Sequence, residues 1–264
     1  MSGKILIDGS YYIFFRYFAL IQSYKIQNKL ELLETEQGVK DFLEKFDNVF
    51  VKKIAEIKSK LKMKGSDVVV ALDCPRKSIW RKELFPDYKE HRESDLSNVG
   101  AYIFNRIRIE KLFGEAGVNL ILKHDNLEAD DCIALYLKRV CEPNKKFVIV
   151  ASDMDYLQIA ENNICIINLK YQDIRQNKSS YKNKDKDLFC KIVSGDKSDG
   201  IPSVFKKCGP KTAEKYYENR ELFEKKLSED SLAKNQYELN CKLIDFSRIP
   251  ERLVEGFNQK YFGV

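Results

Sequence analysis

Two rhythms of apolar residues alternate along the chain. Short unbroken runs read as buried strands: Ile5-Leu6-Ile7, Val68 to Leu72, Val118 to Leu122, Phe147 to Val150 and Ile164 to Leu169. Between them the apolar positions take a helical period. The clearest case runs from about Gln37 to Lys62, where Val39, Phe42, Phe46, Phe50, Ile54, Ile57 and Leu61 recur along one face. That stripe is core and implies no chemistry. Further helices are expected over Tyr11 to Tyr24, over Ala101 to Phe113 and in the apolar run after Asp131. Apolar strands alternating with helices predict an α/β fold with a mainly parallel central sheet flanked by helices.

The pattern also divides the chain. Lys170 to Lys186 is polar, rich in Lys, Asn, Gln and Ser, and reads as a loop or linker. Residues 1–186 are therefore expected to form the α/β domain, interrupted by a basic, proline-containing segment at about 76–100. Residues 187–264 form a smaller helical part, with Leu243 to Phe246 and the terminal aromatics packing back on the body.

Composition narrows the function. The 264 residues are 44% hydrophobic, enough for a full core. Two histidines, His91 and His124, argue against a His-based zinc or triad enzyme. Seven cysteines without a CxxC pair read as reduced thiols in a cytosol-like compartment. The chain enters its first strand directly, so no export leader is expected. No apolar run is long enough for a membrane span. Net charge is only +6, from 46 basic and 40 acidic residues.

That near balance hides a polarised chain, because acids recur where strands end. Asp8 closes the first strand, Asp73 the second and Asp153 the fourth, with Asp155 beside it. Glu128-Ala129-Asp130-Asp131 opens the helix after the third. Asp often caps a helix after a strand, which explains any one of these acids but strains as an account of the set. Ligands of parallel sheets bind at the carboxyl ends of strands. Asp196 and Asp199, in Gly195-Asp196-Lys197-Ser198-Asp199, could complete the group. Without these nine acids the rest of the chain is strongly basic, which suits a polyanion held near metal ions. Clustered oxygens need cations to stay ionised and suit Mg²⁺ or Mn²⁺. Two such ions roughly 4 Å apart serve phosphodiester hydrolysis.

A second constellation follows. Gly209-Pro210 turns the chain into a helix from about Lys211 to Tyr217. Backbone N–H groups there, with Gly209 and Thr212 at the turn, can hold a phosphate, and Lys206, Lys207 and Lys211 add charge. An ordinary helix pair with surface lysines would read the same way.

Taken in order, Ile7-Asp8-Gly9, Leu72-Asp73, Glu128-Ala129-Asp130-Asp131, Ser152-Asp153-Met154-Asp155 and Gly195-Asp196-Lys197-Ser198-Asp199 resemble the 5′-nuclease (flap endonuclease) superfamily. Phage-type 5′→3′ exonucleases with ribonuclease H activity look most similar. Each piece alone is short and unspecific; the ordered set is highly specific and covers about residues 4 to 217.

The resemblance implies a PIN-like α/β domain, a helix–three-turn–helix module that grips duplex DNA, and a helical arch. It implies one metal near Asp8, Asp73, Glu128 and Asp130, and another using Asp131, Asp153, Asp155 and Asp199, with Asp196 close by. Arg81 and Lys89 match the basic pair of the arch and would neutralise the scissile phosphate. Tyr88 would stack a terminal base or pack at a helix end; Arg92 would touch phosphate. The family also binds K⁺ at the helix–three-turn–helix turn, although here Ser203 to Cys208 lacks its usual glycines.

Expected substrates are DNA with a 5′ flap, nick or overhang, and RNA–DNA hybrid. The expected setting is a monomer in the cytoplasm (the host's, for a phage or viral source). Its replisome partners would be a single-stranded-DNA-binding protein, a clamp or a polymerase. Two other readings are a PIN-like endoribonuclease on single-stranded RNA, which leaves residues 196–213 unexplained, and a non-catalytic branched-DNA binding module. A relic has no reason to keep mutually repelling acids.

Overall fold

The five apolar runs pair into one parallel sheet. A computed structural model describes residues 3–91 and 98–264; Arg92 lies outside the described residues. The strands are β1 (Lys4–Asp8), β2 (Asp67–Ala71), β3 (Leu120–Leu122), β4 (Phe147–Val150) and β5 (Ile164–Ile167), in the order β3-β2-β1-β4-β5. Every pairing is parallel; Ile7 lies between Val70 and Val150. The order reverses between β1 and β4, and that switch opens a crevice at their carboxyl ends.

Strand alternation feeds two cores. Ile5, Ile7, Val68, Val70, Val148 and Val150 face α1 (Gly9–Ile26) and α2 (Glu36–Lys60), together with α4 (Asn98–Ile103) and α5 (Arg106–Glu115). Leu6, Val69, Phe147, Ile149 and Ile166 face α6 (Ala129–Val140). On the first face Tyr12, Phe50 and Phe113 pack edge to face, with centroids 4.9 Å (Tyr12–Phe50) and 4.8 Å (Phe50–Phe113) apart. Each fully buried ring contributes about 1.5–3 kcal/mol. The helix expected from Ala101 to Phe113 is two helices. The Asn105 side chain accepts a hydrogen bond from the Arg108 N–H at 3.2 Å and starts α5 afresh.

The short α3 (Arg81–Leu84) lies in the basic segment. After the linker come α7 (Lys184–Ser194), α8 (Pro210–Glu218), α9 (Arg220–Glu229) and α10 (Ser231–Ile244), packed around Phe189, Val193, Ala213, Tyr216 and Phe223. A seam of Cys74, Ile79, Tyr88, Ile192, Ile201, Leu243 and Ile244 joins this group to the sheet domain. As expected, the C-terminus packs back. Phe246 and then Leu253 and Phe257 of α11 (Glu251–Phe262) join the α6 core. The Tyr261 hydroxyl accepts from the Lys123 N–H at 2.6 Å and donates to its carbonyl at 2.8 Å. No helix among the described residues is long and apolar enough to cross a membrane.

Candidate metal centre and active site

Each strand-end acid meets a helix start, Asp8 and Asp153 as N-caps and Asp73 across the crevice at Ala129, and a carboxylate has oxygens to spare. Asp8 caps α1, its Oδ1 accepting from the Tyr11 N–H at 2.9 Å, while Oδ2 accepts from the Tyr156 hydroxyl at 3.0 Å. Gly9 allows this turn, since a Cβ there would lie 2.6 Å from the Ala71 carbonyl oxygen. Asp153 accepts from the Asp155 N–H at 3.0 Å. Asp73 accepts from the Ala129 N–H at 2.7 Å and so ties the end of β2 to the start of α6. Capping and site membership are therefore compatible.

The stretch from Glu128 to Asp131 departs from a helical wheel, because Glu128 is extended (φ −80°, ψ 167°) and α6 begins after it. One oxygen from each of Glu128, Asp130 and Asp131 lies within 4.8 Å of the others. Asp131 is fully buried, and its oxygens accept from Arg81 Nη2 (2.7 Å) and Nη1 (2.8 Å), Trp80 Nε1 (2.9 Å) and the Glu128 N–H (3.2 Å). The geometry groups Asp131 with Glu128 and Asp130, and its oxygens accept from Arg81 and Trp80.

Arg81, expected at the scissile phosphate, makes internal contacts here. It is 2% exposed and also donates to Glu128 at 2.9 Å and to the Leu243 carbonyl at 2.7 Å. Tyr88 offers no open face for a base. It is 3% exposed, with its hydroxyl 3.1 Å from both Glu128 and Asp199 and cationic groups of Arg81 and Lys89 over its ring. Of the two readings of Tyr88, burial is the observed one. Lys89 does reach the carboxylates. Its left-handed backbone (φ 59°) and an N–H bond to the Asp199 carbonyl place Nζ 2.5 Å from Glu128 and 3.7 Å from Asp199.

The second group is Asp155, Asp196 and Asp199, again with one oxygen each within 4.8 Å. It forms because Gly195, at φ 72°, turns the end of α7 back, and Asp196 bridges to Ile201. Lys191 on α7 pairs with Asp155 and lies 2.9 Å from Asp196. Ser198 donates to Asp196 from Oγ at 2.6 Å.

Electrostatics separates these acids. Burial, then the charges of Asp73 and Asp153, pushes Asp8 up to about 7. Lost hydration in the crevice, then the Glu128 charge, raises Asp73 too, although the residue is exposed. Burial, followed by Asp131 and Glu128, drives Asp130 well above the usual carboxylate range. Burial would also raise Glu128, but Lys89 and Arg81 outweigh it and hold that carboxyl low. Asp196 is held at about 2, burial being overcome by Lys191 and Ser198. Among the described residues no lysine or arginine forms an ion pair with Asp8, Asp73 or Asp130. The all-oxygen donors and raised carboxyls fit hard divalent cations.

The turn before α8 exposes Lys206, Lys207, Lys211 and Thr212. Gly209 is its N-cap without a side-chain bond, and Pro210 takes the first helical position. Sequence reasoning missed Trp80, Tyr156 and Lys191. Lys191 carried one signal, a cation in the last turn of a helix that runs into Gly195-Asp196.

This arrangement of strand-end acids can be set beside known proteins. A family model described as the 5′-3′ exonuclease, N-terminal resolvase-like domain, matches residues 4–189. The chain belongs to that family. Among curated relatives, DNA polymerase I of Treponema pallidum (strain Nichols) is 32% identical over 143 residues, 51% of this chain and 14% of the relative. Ribonuclease H of Enterobacteria phage T4 is 26% identical over 222 residues, 74% of this chain and 69% of the relative. The 5′-3′ exonuclease of Aquifex aeolicus (strain VF5) is 30% identical, across 55% of this chain and 50% of the relative. The chain thus spans only part of each relative.

Solved structures share the fold of this 5′-3′ exonuclease family member. Bacteriophage T5 5′-exonuclease with bound zinc gives a TM-score of 0.65 at 16% identity, covering 97% of both chains. The T5 flap endonuclease, in a pseudo-enzyme–product complex with DNA and metal ions, gives 0.64 at 13%, again covering 97% of both.

Proposed function

We propose that this chain is a divalent-metal-dependent 5′ nuclease that hydrolyses phosphodiesters near the 5′ ends of branched or nicked duplexes, including flaps and RNA primers. The observation that carries this reading is the meeting of acids from the strand ends and the 196–199 loop at the crevice beside β1, where lost hydration and neighbouring carboxylates raise Asp8, Asp73 and Asp130. Asp8, Asp73, Glu128 and Asp130 would hold one Mg²⁺ or Mn²⁺, and Asp153, Asp155, Asp196 and Asp199 the other. When bound, the two ions make water acidic and offset charge on the leaving oxygen.

The remaining groups position substrate. Lys89 brings an ammonium to the rim of the carboxylates, where a phosphate would meet it. Arg81, Trp80 and Tyr88 fix Glu128 and Asp131 and act through them. Lys206, Lys207, Lys211, Thr212 and the backbone after Gly209 would track duplex phosphates, and carbonyls of the turn from 203 to 208 would take K⁺. Arg92 belongs to the proposal as a phosphate contact. The names of the relatives support DNA and RNA–DNA substrates and a replication setting in which polymerase, clamp and single-stranded-DNA-binding protein are the partners to test.

A cleavage assay on flap DNA, RNA–DNA hybrid and single-stranded RNA, with and without Mg²⁺, tests the reading. Mg²⁺-dependent cutting of the first two is expected. Cutting of single-stranded RNA alone would favour an endoribonuclease, and binding without cutting a non-catalytic module.

A further inference from the structure

Lys191 occupies the place of a cation. Its Nζ pairs with Asp155 and lies 2.9 Å from Asp196, two of the three carboxylates whose oxygens gather within 4.8 Å. We infer that Lys191 is an internal counter-cation of the Asp155–Asp196–Asp199 group that a divalent ion displaces, so that metal loading and release of this ammonium are one event. This deepens the nuclease reading and rests on its metal sites.

Three features carry it. Three carboxylates with oxygens this close repel one another and need positive charge among them, which Lys191 supplies. An ammonium brings one charge and no directed coordination, whereas a divalent ion brings two to the same oxygens; the two compete for one position. Lys191 also has somewhere to go. Its side chain is 22% exposed, on a flexible stem, and lines a 440 Å³ cavity with Met154, Lys178, Ser194 and Pro210. Asp187 and Glu214 also line that cavity and would receive the released ammonium. Arg81 offers the contrast: a bidentate, buried cation beside Asp131.

The experiment measures Mn²⁺ binding by electron paramagnetic resonance to the full chain, to Asp155→Asn and to Lys191→Met. The site lost in Asp155→Asn should tighten in Lys191→Met by at least about fivefold, the scale of removing one competing charge at contact distance in a largely hydrated site. In the same wild-type protein, acylation of Lys191 by an amine-reactive ester, followed by mass spectrometry against exposed Lys64, should rise severalfold when Mn²⁺ is added. Unchanged or weaker Mn²⁺ binding in Lys191→Met, or acylation indifferent to Mn²⁺, overturns the exchange. Acylation decides on wild-type protein alone if the variant does not fold. Wild-type protein that takes up no Mn²⁺ overturns the metal-site reading itself, together with this inference.

Discussion

Two carboxylate groups at the same end of the sheet are neutralised in opposite ways. Glu128 and Asp131 face Arg81, a buried guanidinium that forks onto Asp131 and is held by the Leu243 carbonyl, with Trp80 and Tyr88 completing the shell. Asp155 and Asp196 face Lys191, a flexible amine at the edge of a cavity. Geometry explains the division of labour: a planar fork suits a permanent pair and a point charge on a long stem suits an exchangeable one. Asp8, Asp73 and Asp130 have no ion-pair partner among the described residues, and it is these that are pushed up. The Arg81–Asp131 pair is scaffold, the Lys191 pair is poised for exchange, and Asp8, Asp73 and Asp130 are left to take charge from outside.

The largest expected effect breaks the scaffold side. Arg81→Ala leaves Asp131 buried without its cation and should cost about 3–5 kcal/mol in urea unfolding. The matching Lys191→Met should cost well under half of that, because its partners reach solvent; equal losses would erase the distinction. Next, Asp155→Asn should slow flap cleavage in Mg²⁺ by about 10²–10³-fold while flap DNA still binds, the scale of losing one preorganised charge-stabilising group. Cleavage at the wild-type rate would remove Asp155 from the metal site. Tyr88→Phe deletes a hydroxyl shared by Glu128 and Asp199 and should cost about 1–3 kcal/mol in the same unfolding assay. A neutral result would mean that the two acids do not need the bridge.

The smallest effect is a slope. Asp8 keeps its proton to about 7 in the fold, against 3.8 for an ordinary Asp. Across that window the folded chain binds the extra proton, so metal-free stability should fall as pH rises from 4 towards 7. Mg²⁺ should flatten the slope, read as melting temperature against pH with and without the ion.

Much of this was legible in the residues because apolar runs that end in acids can be read without a fold. The five strands, the long stripe of α2, the return of Phe246 and Phe257, and membership of the 5′-nuclease superfamily follow from local pattern and motif order. Other features were not legible. Arg81 and Lys89 look like one basic pair in sequence, yet the first is buried and the second stands at the rim. Spacing cannot show whether a cation eight residues from another points inward. Tyr88, in a proline-interrupted segment, could stack a base or pack at a helix end, and the seam with Ile192 and Leu243 covers it.

The sequence by itself determined which atoms are available: hard oxygens at strand ends, few histidines, a basic remainder, and strands whose alternation sorts side chains to two faces. Those properties are local, set by side-chain chemistry and a two-residue repeat. Only the tertiary structure decided which acids meet which cations. Asp131 with Arg81, Asp155 with Lys191 and Asp8 with Tyr156 are pairings across 50, 36 and 148 residues. They arise because the strand order sets β4 beside β1 and because α7 turns back through Gly195. Charge neutralisation depends on distances of a few ångströms, and those distances exist only once the chain has closed on itself.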